Sequence, residues 1–210
     1  MGKYVNPGTR NMEIDIDDEF YVDKSMLISL LNDKVESDDR FLCVSRPRRF
    51  GKTMAANMIA AYYSKGCDSH EVFSSLKISK DPSFEENINR YTVIKLDING
   101  AATGKGDKTI VQYYNENVVP ELMKAYPDVA LSSDMSLAKA LVSIYEETGD
   151  KFVFIIDEYD VIIRDQEYSS EIKGYLTFLV SLFKNSVVSP AIALSYLTGI
   201  MPIIKDKTQS

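Results

Sequence analysis

A chain of 210 residues is long enough to form one domain with a substantial buried core. Its hydrophobic content of 45% is ordinary for a globular protein, and its net charge of −7 opposes nonspecific binding to nucleic-acid phosphates. The single histidine, His70, argues against Ser-His-Asp catalysis and His-rich zinc sites, and two cysteines give no disulfide framework. No apolar run reaches the length of a membrane span or resembles a signal peptide. We therefore expect a cytoplasmic protein without a membrane partner.

Four short apolar segments predict β-strands. In chain order they are Arg40–Ser45, Tyr91–Ile98, Lys151–Ile156 and Ala191–Leu197. Their apolar residues are nearly continuous, which is typical of parallel strands that are covered on both faces.

Apolar residues at helical spacing predict helices between these strands. The helical segments are Asp23–Asp33 with Ser25 as its N-cap, Thr53–Gly66, Thr109–Tyr126, Ser136–Gly149 and Ser169–Asn185. Pro120 should kink or divide the third of these, because proline lacks the N–H that an α-helix requires. The Gly-rich stretch Asn99–Lys108 predicts an exposed loop.

The alternation of strands and helices indicates an α/β fold with a mainly parallel sheet flanked by helices. Ligands of such sheets bind at the carboxyl ends of the strands. Both of the motifs described next follow a predicted strand.

The first motif is SRPRRFGKT, Ser45–Thr53, which joins a strand to a helix. It ends like the phosphate loop G-x-x-x-x-G-K-[ST], but Arg46 stands in place of the first glycine. Backbone N–H groups at the helix start would face a phosphate, and Gly51 would allow its close approach. Lys52 would reach the β- and γ-phosphates, and the Thr53 hydroxyl would ligate Mg²⁺. The alternative is a basic turn that merely precedes a helix.

The second motif is KFVFIIDEYD, Lys151–Asp160, in which a buried strand ends in two acids. Asp157 is a candidate ligand of Mg²⁺, which prefers carboxylates and water. Glu158 is a candidate for orienting and polarising the water that attacks the γ-phosphate. The alternative is an exposed strand end whose acids favour solubility. The two motifs, in this order and both at strand ends, favour a nucleotide site.

Four segments resemble the signatures of the bacterial and archaeal AAA-ATPase-like family. They are YVDKS (Tyr21–Ser25), RPRRFGKT within the first motif, FIIDEYD (Phe154–Asp160) and YLTGIMPI (Tyr196–Ile203). The resemblance implies a three-layer P-loop NTPase of the ASCE type, with Walker A and Walker B motifs at the two sites. It also implies that Arg46 is the family's own variant. The implied strand order is Tyr91–Ile98, Lys151–Ile156, Ala191–Leu197, Arg40–Ser45.

The candidate site residues follow from the motifs and from this resemblance. The expected catalytic residues are Glu158, Lys52 and Thr198, and the expected metal ligands are Thr53 and Asp157. Thr198 is either a polar sensor of the γ-phosphate or a strand-end cap. The nucleotide-binding residues would be Arg48, Arg49, Phe50, Gly51, Lys52, Thr53 and Met54.

For three charged residues near the motifs, Arg48, Arg49 and Asp97, we also consider a structural role in place of a role in nucleotide binding. Arg48 or Arg49 could pair with Asp160 or Glu158 and so hold the loop. Asp97, near the end of its strand, is expected to be structural, with a position close to magnesium as the alternative.

The resemblance also implies an organisation and a set of partners. Residues 1–36 would be an N-terminal segment packed on the core, and residues 37–210 an ATPase core truncated at its C-terminal end. Family members usually carry a further PD-(D/E)XK nuclease-like domain, which we expect to be missing here. The implied activity is binding and hydrolysis of ATP with Mg²⁺ as a conformational switch, the alternative being a regulatory module with little hydrolysis. The sequence does not decide whether the chain forms a homo-oligomer. We do not expect nucleic-acid binding through this domain alone.

Overall fold

The four predicted strands form one parallel sheet. The computed structural model describes residues 1–202, so the last eight residues of the expected core, with Ile203 of the fourth signature, lie outside the described residues. The strands are β1 (Phe41–Ser45), β2 (Thr92–Asp97), β3 (Phe152–Asp157) and β4 (Ile192–Gly199), and their order is β1-β4-β3-β2. The predicted order is therefore confirmed, with β4 inserted between β1 and β3.

Helices cover both faces of this sheet. They are α1 (Arg10–Ile16), α2 (Met26–Asn32), α3 (Lys52–Tyr63), α4 (His70–Phe73), α5 (Phe84–Asn87), α6 (Ile98–Gly104), α7 (Ile110–Ala125), α8 (Leu137–Thr148), α9 (Val161–Arg164) and α10 (Ile172–Phe183). Short 3₁₀ turns lie at Lys77–Lys80, Gln166–Tyr168 and Ser189–Ala191.

The alternation of side chains along β3 shows why the chain needs three layers. Phe152, Phe154 and Ile156 belong to the cluster that includes residues of α7, α8 and α10. Val153 and Ile155 belong to the opposite cluster, which includes residues of α1, α2 and α3. All six residues of β3 are buried, as the nearly continuous apolar pattern predicted.

The structure corrects part of two predictions of local structure. Helix α7 is not divided at Pro120, because the buried Val118, Val119 and Leu122 hold its two halves against one core. The first half of the predicted loop Asn99–Lys108 is helical, since α6 buries Ala101 and Ala102 there. The core contacts outweigh the local preferences of proline and glycine in both places.

The N-terminal segment lies along the outer edge of β2. Val5 bridges Ile94 in the antiparallel sense, and the Asn6 N–H donates to the Val93 carbonyl at 2.8 Å. The Glu121 carboxylate accepts from the backbone N–H groups of Lys3, Tyr4 and Val5 at 2.8–2.9 Å. One side chain of α7 therefore holds the edge segment in place.

Replacement of Glu121 with Ala should release this segment, because three N–H groups lose their common acceptor. We expect the free energy of unfolding to fall by about 1–3 kcal/mol and hydrogen exchange at residues 3–5 to accelerate. Glu116→Ala is the matched control on the same helix, since Glu116 pairs with Lys108 at the surface. Equal exchange protection in the two variants would contradict this role for Glu121.

Candidate functional site

Polar side chains of three adjacent strands meet at the carboxyl edge of the sheet. Thr198 of β4 is in register with Asp157 of β3, which is in register with Asp97 of β2. Val44 of β1 completes the row. Register partners in parallel strands point to the same face, so this row lies under the start of α3.

Lys52 forms hydrogen bonds with backbone carbonyls of the loop between β1 and α3. The Lys52 ammonium donates to the carbonyls of Arg46 at 3.2 Å and Pro47 at 2.9 Å. The Arg46 N–H donates to the Gly199 carbonyl at 3.0 Å, which extends the β1–β4 pairing by one bond. Lys52 is only 9% exposed, and it is positioned at the centre of the loop.

Backbone angles show where the loop makes its left-handed turn. Arg46 has a negative φ, whereas Arg49 at 66° and Gly51 at 73° lie in the left-handed region. The turn that favours glycine is therefore made later in the loop. The N-cap of α3 is Gly51, which has no side chain that could cap the helix, so the first-turn N–H groups keep their capacity to bind an anion.

The Asp157 carboxylate interacts with the Thr53 side chain at the start of α3. Asp157 is 3% exposed, and its burial raises the pKa of its carboxyl group. The Thr53 side chain lowers this pKa, the neighbouring charge of Asp97 raises it, and the Lys95 charge lowers it. A buried carboxylate that is only partly neutralised is a suitable ligand for a cation.

Lys95 is a site residue that the sequence analysis missed. It lies on β2, its side chain bonds to the Asn57 amide oxygen, and the Asn57 amide donates to Asp15 at 2.7 Å. Burial lowers the pKa of its ammonium group, against the opposing charges of Asp157 and Asp97. Its signal in the sequence is a lysine that interrupts an apolar strand.

Glu158 follows Asp157 in a left-handed conformation with φ of 52°. Its N–H donates to the Asp157 carboxylate at 3.0 Å, and its carboxylate lies 3.7 Å from the Arg164 guanidinium. A non-glycine residue in this conformation is uncommon and is found at functional sites.

Asp160 connects this strand end to the one beside it. It is 1% exposed, and its carboxylate accepts from the Ile200 and Met201 N–H groups at 3.1 and 3.0 Å. Arg164 lies 3.5 Å from the same carboxylate. The sequence analysis considered Asp160 only as an ion-pair partner, and its anchoring of the residues after β4 has no signal in the sequence.

The proposed ion pairs of Arg48 or Arg49 with Asp160 or Glu158 are wrong, because Arg164 is the partner of both acids. Within residues 1–202, Arg48 and Arg49 make no salt bridge, and both are exposed.

Four candidate residues remain, and they are Thr198, Asp97, Phe50 and Met54. Thr198 is fully buried, and its hydroxyl has no hydrogen-bond partner within residues 1–202, so it does not act as a strand-end cap. Asp97 accepts from the Gly100 N–H and caps α6, which is the expected structural role. Phe50 is exposed on the loop, and Met54 lies partly buried on the first turn of α3.

A parallel sheet in this order, flanked by helices, with a phosphate-loop-like turn between β1 and α3, has the P-loop NTPase-like fold. The family model described as a predicted AAA-ATPase matches residues 9–208, and the chain belongs to this AAA-ATPase-like family. Membership in this family supports a general function in nucleotide binding or ATP hydrolysis. No curated protein matches the sequence. None of the helices in residues 1–202 is long and apolar enough to cross a membrane.

Replacement of Asp157 with Asn should stabilise the chain in the absence of nucleotide and Mg²⁺. A carboxyl group with a raised folded-state pKa binds its proton more tightly in the native state, so the wild type loses stability as pH rises through the raised pKa. We expect the variant to melt a few degrees higher at pH 7, for a gain of about 0.5–2 kcal/mol. The difference should shrink below pH ~4, where both states are protonated.

Thermal unfolding at pH 7 and at low pH measures this effect. Asp128→Asn, at an exposed position, is the control and should leave the melting temperature unchanged. A lower melting temperature for Asp157→Asn at pH 7 would contradict the proposed burial cost.

Proposed function

We propose that this chain binds ATP together with Mg²⁺ and hydrolyses it. The observation that carries the proposal is the buried carboxylate of Asp157 beside the Thr53 side chain, which lowers its pKa. The last residue of the phosphate loop and the acid of a strand two positions away in the sheet are thus neighbours, which is the pairing that a metal-bound triphosphate needs.

The phosphates would lie against the turn from Arg49 to Thr53. The N–H groups of the first turn of α3 and the helix dipole favour an anion there. The Lys52 ammonium would exchange the carbonyls of Arg46 and Pro47 for phosphate oxygens, since carbonyls are the weaker acceptors.

The oxygen donors at the strand end fit magnesium. Thr53 supplies a hydroxyl and Asp157 a buried carboxylate, and Mg²⁺ takes few protein ligands beside water and phosphate. Thr53 and Asp157 would hold the ion, directly or through water. When bound, Mg²⁺ supplies neutralisation of the charge on the β- and γ-phosphate oxygens.

Glu158 is the proposed general base. Its carboxylate would take a proton from a water whose oxygen bonds to the γ-phosphorus while the bond to the β–γ bridging oxygen breaks, leaving ADP and phosphate. The buried, unpartnered hydroxyl of Thr198 stands beside Asp157 in register and is suited to sense the γ-phosphate or this water. Hydrolysis would then alter the contacts of this edge and act as a switch for an attached or partner domain.

A second function, a nucleotide-binding regulatory module with little hydrolysis, is favoured by the setting of Glu158. Its carboxylate lies 3.7 Å from Arg164, and that cation competes with a water for the base. The two functions share the phosphate site and differ only in whether Glu158 acts.

Replacement of Lys52 with Ala should weaken binding of Mg·ATP by about 10–100-fold, because a charge-assisted hydrogen bond is worth about 1.5–3 kcal/mol. Calorimetric titration measures the affinity, and thermal unfolding checks the fold. Lys65→Ala is the control, since Lys65 pairs with Asp150 at the surface. Unchanged affinity in Lys52→Ala would defeat the proposal that the loop binds phosphates.

Replacement of Glu158 with Gln should slow single-turnover hydrolysis by about 100-fold or more and leave ATP affinity nearly unchanged, because only proton removal is lost. The exposed Glu147→Gln is the matched control. Equal rates for wild type and Glu158→Gln, with binding retained, would favour the regulatory module over the enzyme.

A further inference from the structure

A cavity of about 300 Å³ lies beside the start of α3. Gly51, Met54 and Met58 line it from the phosphate loop and α3. The opposite wall belongs to residues 18–24, which join α1 to α2 and are called the strap below. The strap contributes Phe20, Tyr21, Val22 and Lys24.

Hydrogen bonds hold the strap in place. The Asp18 carboxylate accepts from the Phe20 N–H at 2.8 Å. The Asp23 carboxylate accepts from the N–H groups of Ser25 at 2.8 Å and Lys77 at 2.9 Å. The Lys24 ammonium donates to the Phe50 carbonyl at 3.3 Å, which ties the strap to the phosphate loop. The cavity therefore has two fixed walls.

The rim of the cavity exposes large apolar side chains. Phe20 is 83% exposed, Val22 66% and Phe50 57%. Three such side chains around one opening form an apolar patch of the kind that marks a binding site. Two of them are aromatic, and flat aromatic ligands stack on such rings.

We propose that this cavity binds the purine base of the nucleotide whose phosphates lie on the phosphate loop, an inference that rests on the proposed function. Gly51 belongs to both sites, so a base attached to a bound triphosphate lies within reach of the cavity. The volume is at the lower end of the range for small-molecule sites, which suits one heterocycle. The cations of Lys24 and Arg49 lie at the same opening and suit an anionic ligand.

The lining also fixes how the base is recognised. None of the described residues that line the cavity carries a carboxylate, so no acidic side chain is available to accept the N–H groups of guanine. The Phe20, Phe50 and methionine side chains of the lining offer stacking and apolar contact, and these do not depend on the identity of the base edge. ATP and GTP should bind with affinities within a few-fold of one another.

Phe20→Trp provides a direct test, because the chain contains no tryptophan. Stacking on a base should quench the emission of the new side chain when Mg·ATP is added. Magnesium tripolyphosphate, which has the phosphates without a base, should leave the emission unchanged. Phe41→Trp, on the edge strand β1, is the control and should respond to neither ligand.

Phe20→Ala tests the energetic contribution, and the high exposure of Phe20 leaves folding unaffected. Affinity for Mg·ATP should fall about tenfold, as expected for the loss of ~1–3 kcal/mol of stacking, while affinity for magnesium tripolyphosphate stays within twofold. Unchanged ATP affinity with no quenching in Phe20→Trp would overturn the base site and leave the phosphate site standing. Failure of the wild type to bind either ligand would overturn the proposed function and the base site together.

Discussion

The buried carboxylate of Asp157, beside the Thr53 side chain, is the constraint on which the rest of the site depends. A carboxylate at the end of an internal strand is expensive to bury unless it is bonded and faces a cation. The chain partly neutralises it with Thr53 from α3 and Lys95 from β2. Since these groups come from three elements, the charge can be tolerated only when the loop, the helix and the sheet are assembled together. The negative charge of Asp157 is therefore only partly neutralised, and a bound cation would lower the cost of burying it.

Asp160 and Arg46 extend this assembly across the sheet. Asp160 accepts from the N–H groups of Ile200 and Met201, and Arg46 donates to the Gly199 carbonyl. The phosphate loop, the end of β3 and the residues after β4 are thus bonded to one another. Gly199 allows the close contact, because a Cβ at this position would lie 2.6 Å from the Asp160 carboxylate. The contacts of these three segments therefore depend on one another.

The N-terminal segment connects to the same centre from the other side. Asp15 bonds to Asn57, which bonds to Lys95 beside Asp157. The strap between α1 and α2 contacts the phosphate loop through Lys24. Residues before β1 are therefore part of the site's surroundings, although YVDKS (Tyr21–Ser25) is the one signature segment that the sequence analysis found among them.

The sequence by itself determined the strands, their parallel order through the family resemblance, and the two motifs at strand ends, because hydrophobic period and short motifs are local properties. It did not determine how the loop tolerates Arg46, since that depends on the left-handed turn occurring at Arg49 and Gly51. Only the tertiary structure placed Lys95 and Asp160, paired Arg164 with both acids, and carried α7 through Pro120. These features arise from contacts between residues far apart in the chain, where burial and charge pairing outweigh local preference.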